Sequence, residues 1–237
     1  MSKQVITVDA ILFDMDGYVF WLVTLIDSTP GVFKAWATFS RDYHLGDSEA
    51  VVHATHGRRL YDTLKEYCHI EDEAKLKREI DRFEDEVIEG GPKVLPGAAA
   101  LISQLASGCP LNWNIVTSAS SGYAPRALER AGLSLPPVGL ITSDDVSHGK
   151  PHPAPYLAGA AKCSVDPTKC LVVEDAIAGL KSGRAAGATT LAVCTSTPRQ
   201  TITDSDANPH YIVSDLTKVS ACWLDGRIQV TLDVSED

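Results

Sequence analysis

The sequence predicts an α/β protein that is built on a doubly wound parallel sheet and carries an inserted α-helical cap. Three observations lead to this fold class. A β-branched, apolar segment near the N-terminus has the composition of a buried strand. A long block with helical periodicity follows it. Beyond Gly90-Gly91-Pro92, strand-like and helix-like segments alternate, as they do in parallel sheets with helices on both faces.

The first strand is predicted over residues 5–13, where VITVDAILF precedes the acidic tetrapeptide DMDG. In the segment that follows, Val32, Trp36, Phe39 and Tyr43 recur at helical spacing. Two further stretches repeat this spacing, with apolar positions at Leu60, Leu64, Tyr67, Leu76, Ile80, Phe83 and Val87. The block therefore predicts three or four amphipathic helices and no strand.

The remainder of the chain alternates between the two kinds of element. Strands are predicted over residues 111–117, 138–142, 170–173, 190–195 and 211–213, and helices over residues 97–107, 123–131, 154–162 and 177–186. A late strand is predicted from the alternation of Ile228, Val230, Leu232 and Val234. The expected domains are an α/β core, formed by residues 1–27 and 92–237, and a helical cap, formed by residues 28–91.

The composition excludes several classes of protein. The chain has 237 residues, of which 44% are hydrophobic and 22% charged, so it is neither disordered nor a small disulfide scaffold. Its net charge of -10 opposes binding to nucleic-acid phosphates. The longest apolar run is too short to span a bilayer, and no secretory signal is recognisable. The six cysteines show no zinc-binding spacing. We expect a cytoplasmic protein that binds neither nucleic acid nor membrane.

Chemically active side chains follow several of the predicted strands. Sites in doubly wound sheets gather at the carboxyl ends of the strands, so these side chains are expected to meet. The candidates are Asp14, Asp16, Thr117, Ser118, Lys150, Glu174 and Asp175. Each motif alone is weak, because an acidic turn, a loop lysine or a helix cap also explains it. Their occurrence together, in this order along the chain and each at the carboxyl end of a strand, is a strong signal.

This set of side chains is suited to phosphoryl transfer. Asp14 and Asp16 are two residues apart on an extended segment, so they point to the same side. One can attack phosphorus as a nucleophile, and the other can protonate the leaving oxygen and later activate water. A divalent cation with oxygen ligands would offset the repulsion between these carboxylates and the phosphate. Lys150 and the hydroxyl of Ser118 are suited to bind phosphoryl oxygens.

The motifs DMDG, IVTS, GKP and VVEDA resemble those of the haloacid dehalogenase-like (HAD) superfamily. The position of the insert is similar to that in the α-helical cap subclass, so the resemblance implies the Rossmann-like core of that superfamily. The segments THGRRLYDTL, DVSHGKPHPAPYL and VVEDAIAGLKSGRAAGA resemble the fungal glycerol-3-phosphate phosphatases and 2-deoxyglucose-6-phosphate phosphatases. The resemblance covers nearly the whole chain, including IVSDLTKVS near its end.

The resemblance implies catalytic and metal-binding roles. Asp14 is the nucleophile that forms an aspartyl-phosphate, and Asp16 is the general acid and base. Because the dehalogenase branch lacks an acid at the position of Asp16, dehalogenation is set aside. Mg²⁺ is held by Asp14, by the main-chain carbonyl of Asp16 and by Asp175, with Glu174 as a direct or indirect partner.

The resemblance also implies how substrate is bound. Ser118 and Lys150 bind phosphate, and Thr117 is the alternative to Ser118. The segment HGRR, which contains His56 and Arg59, lies between two predicted cap helices and is similar to an H-G-x-R pattern of the subgroup. Arg59 either contacts the substrate or only solvates the start of a helix, and His56 either contacts the substrate or serves to pack or cap a helix.

Six residues, Tyr18 to Val23, interrupt the resemblance. Without them the chain would read DMDGTLIDSTPGV, an ordinary motif of the superfamily, with Thr24 in the place of Tyr18. The extra residues are apolar and stand between the catalytic loop and the hinge to the cap, where a flap normally opens and closes the site. Three explanations stay open: a tolerated extension of the flap, an error in the gene model, and a change that has abolished catalysis.

The sequence thus predicts a Mg²⁺-dependent phosphatase that hydrolyses small sugar or polyol phosphates, of the glycerol phosphate or 2-deoxyglucose-6-phosphate type. One rival is a sugar phosphomutase of the same cap subclass. The other is a catalytically impaired relative that binds phosphorylated metabolites without turnover because of the six-residue insert. The expected partner is a small phosphorylated metabolite, and we expect a monomer.

Overall fold

The computed structural model describes residues 3–16, 24–55 and 58–234. The strands are β1 (Lys3–Val8), β2 (Ala10–Phe13), β3 (Ile26–Asp27), β4 (Lys93–Val94), β5 (Trp113–Val116), β6 (Leu140–Ile141), β7 (Cys170–Glu174), β8 (Thr189–Val193), β9 (Tyr211–Val213), β10 (Val219–Leu224) and β11 (Arg227–Asp233). The helices are α1 (Thr29–Tyr43), α2 (Ser48–Ala54), α3 (Leu60–Tyr67), α4 (Glu73–Glu89), α5 (Ala98–Gly108), α6 (Ala124–Ala131), α7 (Ala154–Lys162), α8 (Ile177–Ala185) and α9 (Arg199–Asp204).

The central sheet has six strands in the order β6-β5-β2-β7-β8-β9, and all neighbouring pairs are parallel. Every residue of β2, β5 and β7 is buried, which explains why these strands are mostly apolar rather than alternating, with Asn114 and Glu174 as the polar exceptions. The predicted α/β fold class is therefore confirmed. The predicted strands over residues 111–117 and 138–142 are shorter in the structure, at Trp113–Val116 and Leu140–Ile141.

The prediction of one strand over residues 5–13 is wrong, because two strands in two different sheets occupy this segment. Asp9 separates them: its backbone N–H donates to the carbonyl of Lys169 (2.8 Å), and its carboxylate accepts from Arg227 (2.5 Å). Before this break, β1 pairs antiparallel with β11, and β10 completes a three-stranded sheet. The late strand is confirmed, whereas β10 was not predicted.

Four helices, α1 to α4, occupy the inserted segment, and the short ribbon of β3 and β4 joins its two ends in antiparallel pairing. The predicted apolar face forms the interior of this layer. The ring centroid of Phe83 lies 5.0 Å from that of Trp36 and 5.2 Å from that of Phe39. α1 and α4 approach so closely that a Cβ on Gly90 would lie 2.4 Å from Cα of Gly31. The predicted helical block is confirmed within the described residues.

Two of the remaining helices cover the central sheet. α7 contacts β2, β5 and β6, and α8 contacts β7 and β8. α5 instead packs against β10 of the antiparallel sheet. Within the part of the chain that the structure describes, no helix has the length and apolarity needed to cross a membrane.

Candidate active site

The strand order brings the predicted candidates to one edge of the central sheet. Because β2 lies between β5 and β7, the loop with Asp14 is flanked by those with Ser118 and Glu174. The backbone N–H of Asp14 continues the ladder beyond β2 by donating to the carbonyl of Val173 (2.9 Å). The loop after β6 carries Lys150 to the same place. The carboxyl ends of these parallel strands thus assemble one site, as their position in the sequence predicts.

The ammonium group of Lys150 joins three of these loops. Its Nζ donates to Oδ1 of Asp14 (2.6 Å), to Oε1 of Glu174 (2.7 Å) and to the carbonyl of Val116 (3.0 Å). An ammonium has three N–H donors, so all of them are used by protein acceptors. Burial alone would lower the pKa of Lys150, but the charges of Asp14 and Glu174 outweigh it and raise that pKa. Lys150 therefore holds the Asp14 carboxylate in place.

Glu174 is saturated with hydrogen bonds. Its Oε1 accepts from Lys150 and from the hydroxyl of Tyr156 (2.6 Å). Its Oε2 accepts from the backbone N–H groups of Asp175 and Ala176, each at 3.2 Å. A carboxylate offers about four lone-pair sites, and these four donors engage them. Glu174 is consequently placed to orient Lys150.

Gly179 on α8 leaves room for the Glu174 carboxylate. A Cβ at position 179 would lie only 1.7 Å from Oε1 of Glu174, so even an alanine would displace it. Sequence reasoning missed both Tyr156 and Gly179, although they stand inside the motifs GKPHPAPYL and VVEDAIAGL. Those motifs indicate which segments matter, but no local pattern shows which of their side chains touch Glu174.

Asp14, Glu174 and Asp175 form an acidic cluster that is suited to a metal ion. One carboxylate oxygen of each lies within 4.8 Å of those of the other two, and all three residues are buried. Oδ2 of Asp175 is buried without a hydrogen-bond partner among the described residues, whereas Oδ1 accepts from Thr24 (2.8 Å). Each oxygen of Glu174 accepts two hydrogen bonds, whereas Oδ2 of Asp14 accepts only a long one from Thr24 (3.3 Å) and Oδ2 of Asp175 accepts none from the described residues, so Asp14 and Asp175 have the greater free capacity to bind a metal. This oxygen-only donor set fits a hard divalent cation.

The electrostatics of the cluster favour a cation as well. Burial raises the pKa of Asp14 well above its usual value, and Lys150 opposes the rise. Burial, reinforced by the charge of Glu174, raises the pKa of Asp175 to about 6. Three buried carboxylates therefore share one ammonium, which leaves an excess of negative charge. A divalent cation at this place would favour the ionised forms of Asp14 and Asp175 at neutral pH.

The Asp16 side chain stands apart from the acidic cluster. Its Oδ2 lies 2.9 Å from the hydroxyl of Tyr123, which also lies 2.7 Å from Oγ of Ser28. Burial raises the pKa of Asp16 to about 7, so the carboxyl can carry a proton near neutral pH, as a general acid must. Burial, together with the charge of Asp16, raises the pKa of Tyr123, which keeps the phenol protonated. Tyr123 was not identified from the sequence.

The two candidate phosphate-binding hydroxyls differ in their surroundings. Thr117 is buried, and its Oγ1 accepts a hydrogen bond from the backbone N–H of Ala119 (3.1 Å) within its own loop. Ser118 is half-buried and lines a cavity of about 700 Å³ between the helical insert and the sheet edge. Of the two, Ser118 is therefore the one that faces a space large enough for a ligand.

The position of Arg59 is compatible with both interpretations and decides between neither. It precedes α3 and pairs with Asp62 in the first turn of that helix (Nε to Oδ2, 2.7 Å). It also lines the cavity beside Ser118 and a second cavity, of about 620 Å³, beside Lys150. Neither role excludes the other. His56 lies outside the described residues, and so do the six extra residues Tyr18 to Val23.

The chain is similar to known hydrolases and phosphatases. The family model described as haloacid dehalogenase-like hydrolase matches residues 8–187. Hexitol phosphatase A of Escherichia coli is 41% identical over 77% of this chain and 81% of its own length. Glycerol-1-phosphate phosphohydrolase 2 of Saccharomyces cerevisiae is 34% identical over 80% of this chain and 76% of its own length. The crystal structure of a hydrolase from Pseudomonas syringae superposes with a TM-score of 0.72 at 24% identity, covering 89% of this chain and 94% of that one. The superposition shows the same fold.

Proposed function

The chain belongs to the haloacid dehalogenase-like hydrolase family, and from this premise we propose that it hydrolyses small sugar or polyol phosphates through an aspartyl-phosphate on Asp14. It is a phosphatase, that is, a phosphoric monoester hydrolase. The observation that carries the proposal is the buried contact of 2.6 Å between Lys150 Nζ and Asp14 Oδ1, beside Oδ2 of Asp175, which is buried without a hydrogen-bond partner among the described residues. The substrate class is supported by the hexitol and glycerol-phosphate activities named for the two relatives.

The two aspartates divide the chemistry between them. A carboxylate oxygen of Asp14 attacks phosphorus, and the bond between phosphorus and the ester oxygen breaks. Asp16 gives its proton to the leaving oxygen, which departs as an alcohol. Asp16 then accepts a proton from a water molecule that attacks the aspartyl-phosphate, releasing inorganic phosphate and restoring Asp14. The raised pKa of Asp16 suits both steps.

Mg²⁺ is the cation that we propose for the acidic cluster. Asp14 and Asp175 would hold it with their carboxylates, and Asp16 with its main-chain carbonyl. When bound, the cation supplies positive charge that offsets the repulsion between the carboxylates and the incoming phosphate. Glu174 acts indirectly, since its four hydrogen bonds direct it to Lys150 and to the backbone.

The helical insert is proposed as a cap domain of residues 28–91 over a core of residues 1–27 and 92–237. Ser118 would bind the phosphoryl group, together with the charge of Lys150. Arg59 lines the same cavity as Ser118 and would contact the hydroxyls or the phosphate of the substrate. His56 keeps its predicted contact with the substrate as a proposal that rests on its place in the sequence.

Release of inorganic phosphate tests this function. The panel contains glucitol 6-phosphate, glycerol phosphates and 2-deoxyglucose 6-phosphate, each with Mg²⁺ and with EDTA. We expect metal-dependent turnover that Asp14→Asn abolishes. Asp9→Asn is the matched control, because Asp9 stands at the opposite end of the same strand and pairs with Arg227 at the surface. Isomerisation of a hexose phosphate without phosphate release would indicate the phosphomutase, and binding without turnover would indicate the impaired relative.

A further inference from the structure

Tyr156 is a buried phenol beside the acidic cluster, and the proposed chemistry gives it no task. It lies on α7 and is 0% exposed. Burial, together with the charge of Glu174, raises the pKa of Tyr156 well above its usual value, so the hydroxyl keeps its proton. The hydroxyl donates to Oε1 of Glu174 at 2.6 Å. Tyr156 is therefore a hydrogen-bond donor inside the site.

Glu174 receives this hydrogen bond as a carboxylate. The ammonium of Lys150 and the backbone N–H groups of Asp175 and Ala176 can only donate, and together they contact both oxygens of Glu174. Hydrogen bonds of this kind favour the ionised form of a carboxyl. The distance of 2.6 Å from Tyr156 also lies in the range of bonds between a hydroxyl and an anionic oxygen. The hydroxyl of Tyr156 thus binds a charged acceptor.

The ring of Tyr156 contacts the partner of that acceptor. Nζ of Lys150 lies 5.1 Å from the ring centroid, within the range of a cation–π interaction. The side chain of Lys150 is only 6% exposed, so little water weakens this attraction. One side chain therefore contacts both members of the ion pair between Lys150 and Glu174, with its hydroxyl on the acid and its ring on the ammonium.

The place of Tyr156 is fixed by the hydrophobic core. The ring belongs to a buried cluster that includes Leu12 of β2, Val116 of β5 and Val172 of β7. These three strands are neighbours at the centre of the sheet, and α7 packs on two of them, β2 and β5. Because the core is close-packed, the direction of the hydroxyl follows from the packing of α7 on the sheet.

We propose that Tyr156 is a positioning residue, which holds Glu174 through its hydroxyl and thereby keeps the ammonium of Lys150 on Oδ1 of Asp14. Tyr156 lines neither of the two cavities described above, so it acts through Glu174 and not on the substrate. The effect on catalysis rests on the proposed function. The effect on the mobility of Lys150 does not, and it can be measured without turnover.

Tyr156→Phe removes the hydroxyl and keeps the ring beside Lys150, so it isolates the hydrogen bond. Acetylation of Lys150 by a trace of acetic anhydride is measured by mass spectrometry in the chain without substrate. We expect the rate to rise at least about fivefold, as the loss of one hydrogen bond from a buried network allows. The exposed Lys162, at the end of the same helix, serves as the internal reference and should keep its rate. Amide hydrogen exchange of α7 should stay unchanged.

The kinetic test is a double-mutant cycle with Glu174→Gln. We expect Tyr156→Phe to lower kcat for glucitol 6-phosphate about fivefold with little change in KM. The double variant should be no slower than Glu174→Gln alone, because the hydroxyl acts only through that carboxylate. Tyr211→Phe, which removes a hydroxyl on edge strand β9, is the matched control and should leave both kcat and the acetylation of Lys150 unchanged.

An unchanged acetylation rate of Lys150 in Tyr156→Phe would overturn the inference. A parallel loss of amide protection in α7 would also overturn it, since Tyr156 would then only support the helix. Independent effects of the two substitutions on kcat would show that Tyr156 does not act through Glu174. Faster acetylation of Lys150 in a chain that releases no phosphate from any substrate would uphold the positioning of Lys150 and contradict the proposed function.

Discussion

The hydroxyl oxygen of Tyr123 lies 2.9 Å from Oδ2 of Asp16, although 107 positions separate the two residues in the chain. Tyr123 immediately precedes α6 and is 1% exposed, so its ring has little freedom to move. Oδ1 of Asp16 is buried and has no hydrogen-bond partner among the described residues. Tyr123 thus holds one oxygen of the proposed general acid and leaves the other available for proton transfer.

Tyr123→Phe removes this hydrogen bond and keeps the ring. We expect kcat for glucitol 6-phosphate to fall about tenfold with little change in KM, because the acid is less well placed in the transition state while substrate binding is preserved. Steady-state kinetics measure the effect. Tyr211→Phe, on edge strand β9, is the control. A rise in KM at constant kcat would instead assign Tyr123 to substrate binding.

Asp16→Asn is expected to stabilise the protein at high pH. The pKa of Asp16 is raised from 3.8 to about 7 by burial, so its stabilising contribution is complete below pH 3.8 and is lost as the pH rises through 7. Above that pH the folded protein contains a buried, ionised carboxyl, which the amide avoids. In EDTA, thermal unfolding should show a gain of about 5 °C at pH 8 and a smaller one at pH 5. An equal gain at both pH values would show that the charge of Asp16 is not the cause.

Gly179→Ala should damage the site from a position that no substrate touches. The added Cβ would collide with the Glu174 carboxylate and thereby displace Lys150. We expect kcat to fall at least about tenfold and the free energy of unfolding to fall by about 1–3 kcal/mol. Kinetics and urea unfolding provide the two measurements. Ala185→Gly, at an exposed position of the same helix, is the control, and it should retain kcat.

Asp175 and Glu174 should respond differently to substitution. Asp175→Asn removes charge from a side chain whose Oδ2 has no hydrogen-bond partner among the described residues, so the apparent affinity for Mg²⁺ should fall at least about tenfold. Glu174→Gln instead weakens the ion pair that positions Lys150, so kcat should fall by a larger factor than the affinity for Mg²⁺. Titration of phosphate release against Mg²⁺ and calorimetry of the metal distinguish the two effects. The reverse pattern would make Glu174 the principal ligand.

Deletion of Tyr18 to Val23 should raise both the soluble yield and the phosphatase rate. The described residues on the two sides of this segment come together, because the carbonyl of Met15 accepts from the backbone N–H groups of Leu25 (3.0 Å) and Ile26 (3.2 Å). Thr24, which would follow the DMDG motif directly in the shortened chain, already reaches Asp175. Soluble expression and kcat are compared with those of the full chain. An unchanged or lower rate in the deletion variant would count against this expectation.

Much of the fold could be predicted because it is encoded locally. Mostly apolar runs at 113–116 and 170–173 indicate strands buried on both faces, and the spacing of Trp36 and Phe39 indicates an amphipathic helix. The wrong prediction of a single strand over residues 5–13 also follows from local reasoning, because it used only the pattern of neighbouring residues. One charged residue within an apolar run does not show that the chain leaves one sheet for another, since this depends on Arg227, far away in the sequence.

By itself, the sequence determined the α/β class, the helical insert and the set of polar residues that follow the strands, because periodicity and strand-end position are properties of neighbouring residues. Only the tertiary structure decided which side chains meet. The contact of Tyr123 with Asp16, the hydrogen bonds of Glu174 with Lys150 and Tyr156, and the contact of Ser120 with Glu84 all join segments that are distant in the chain. Their geometry follows from the packing of helices on the sheet and on one another, and no local pattern contains it.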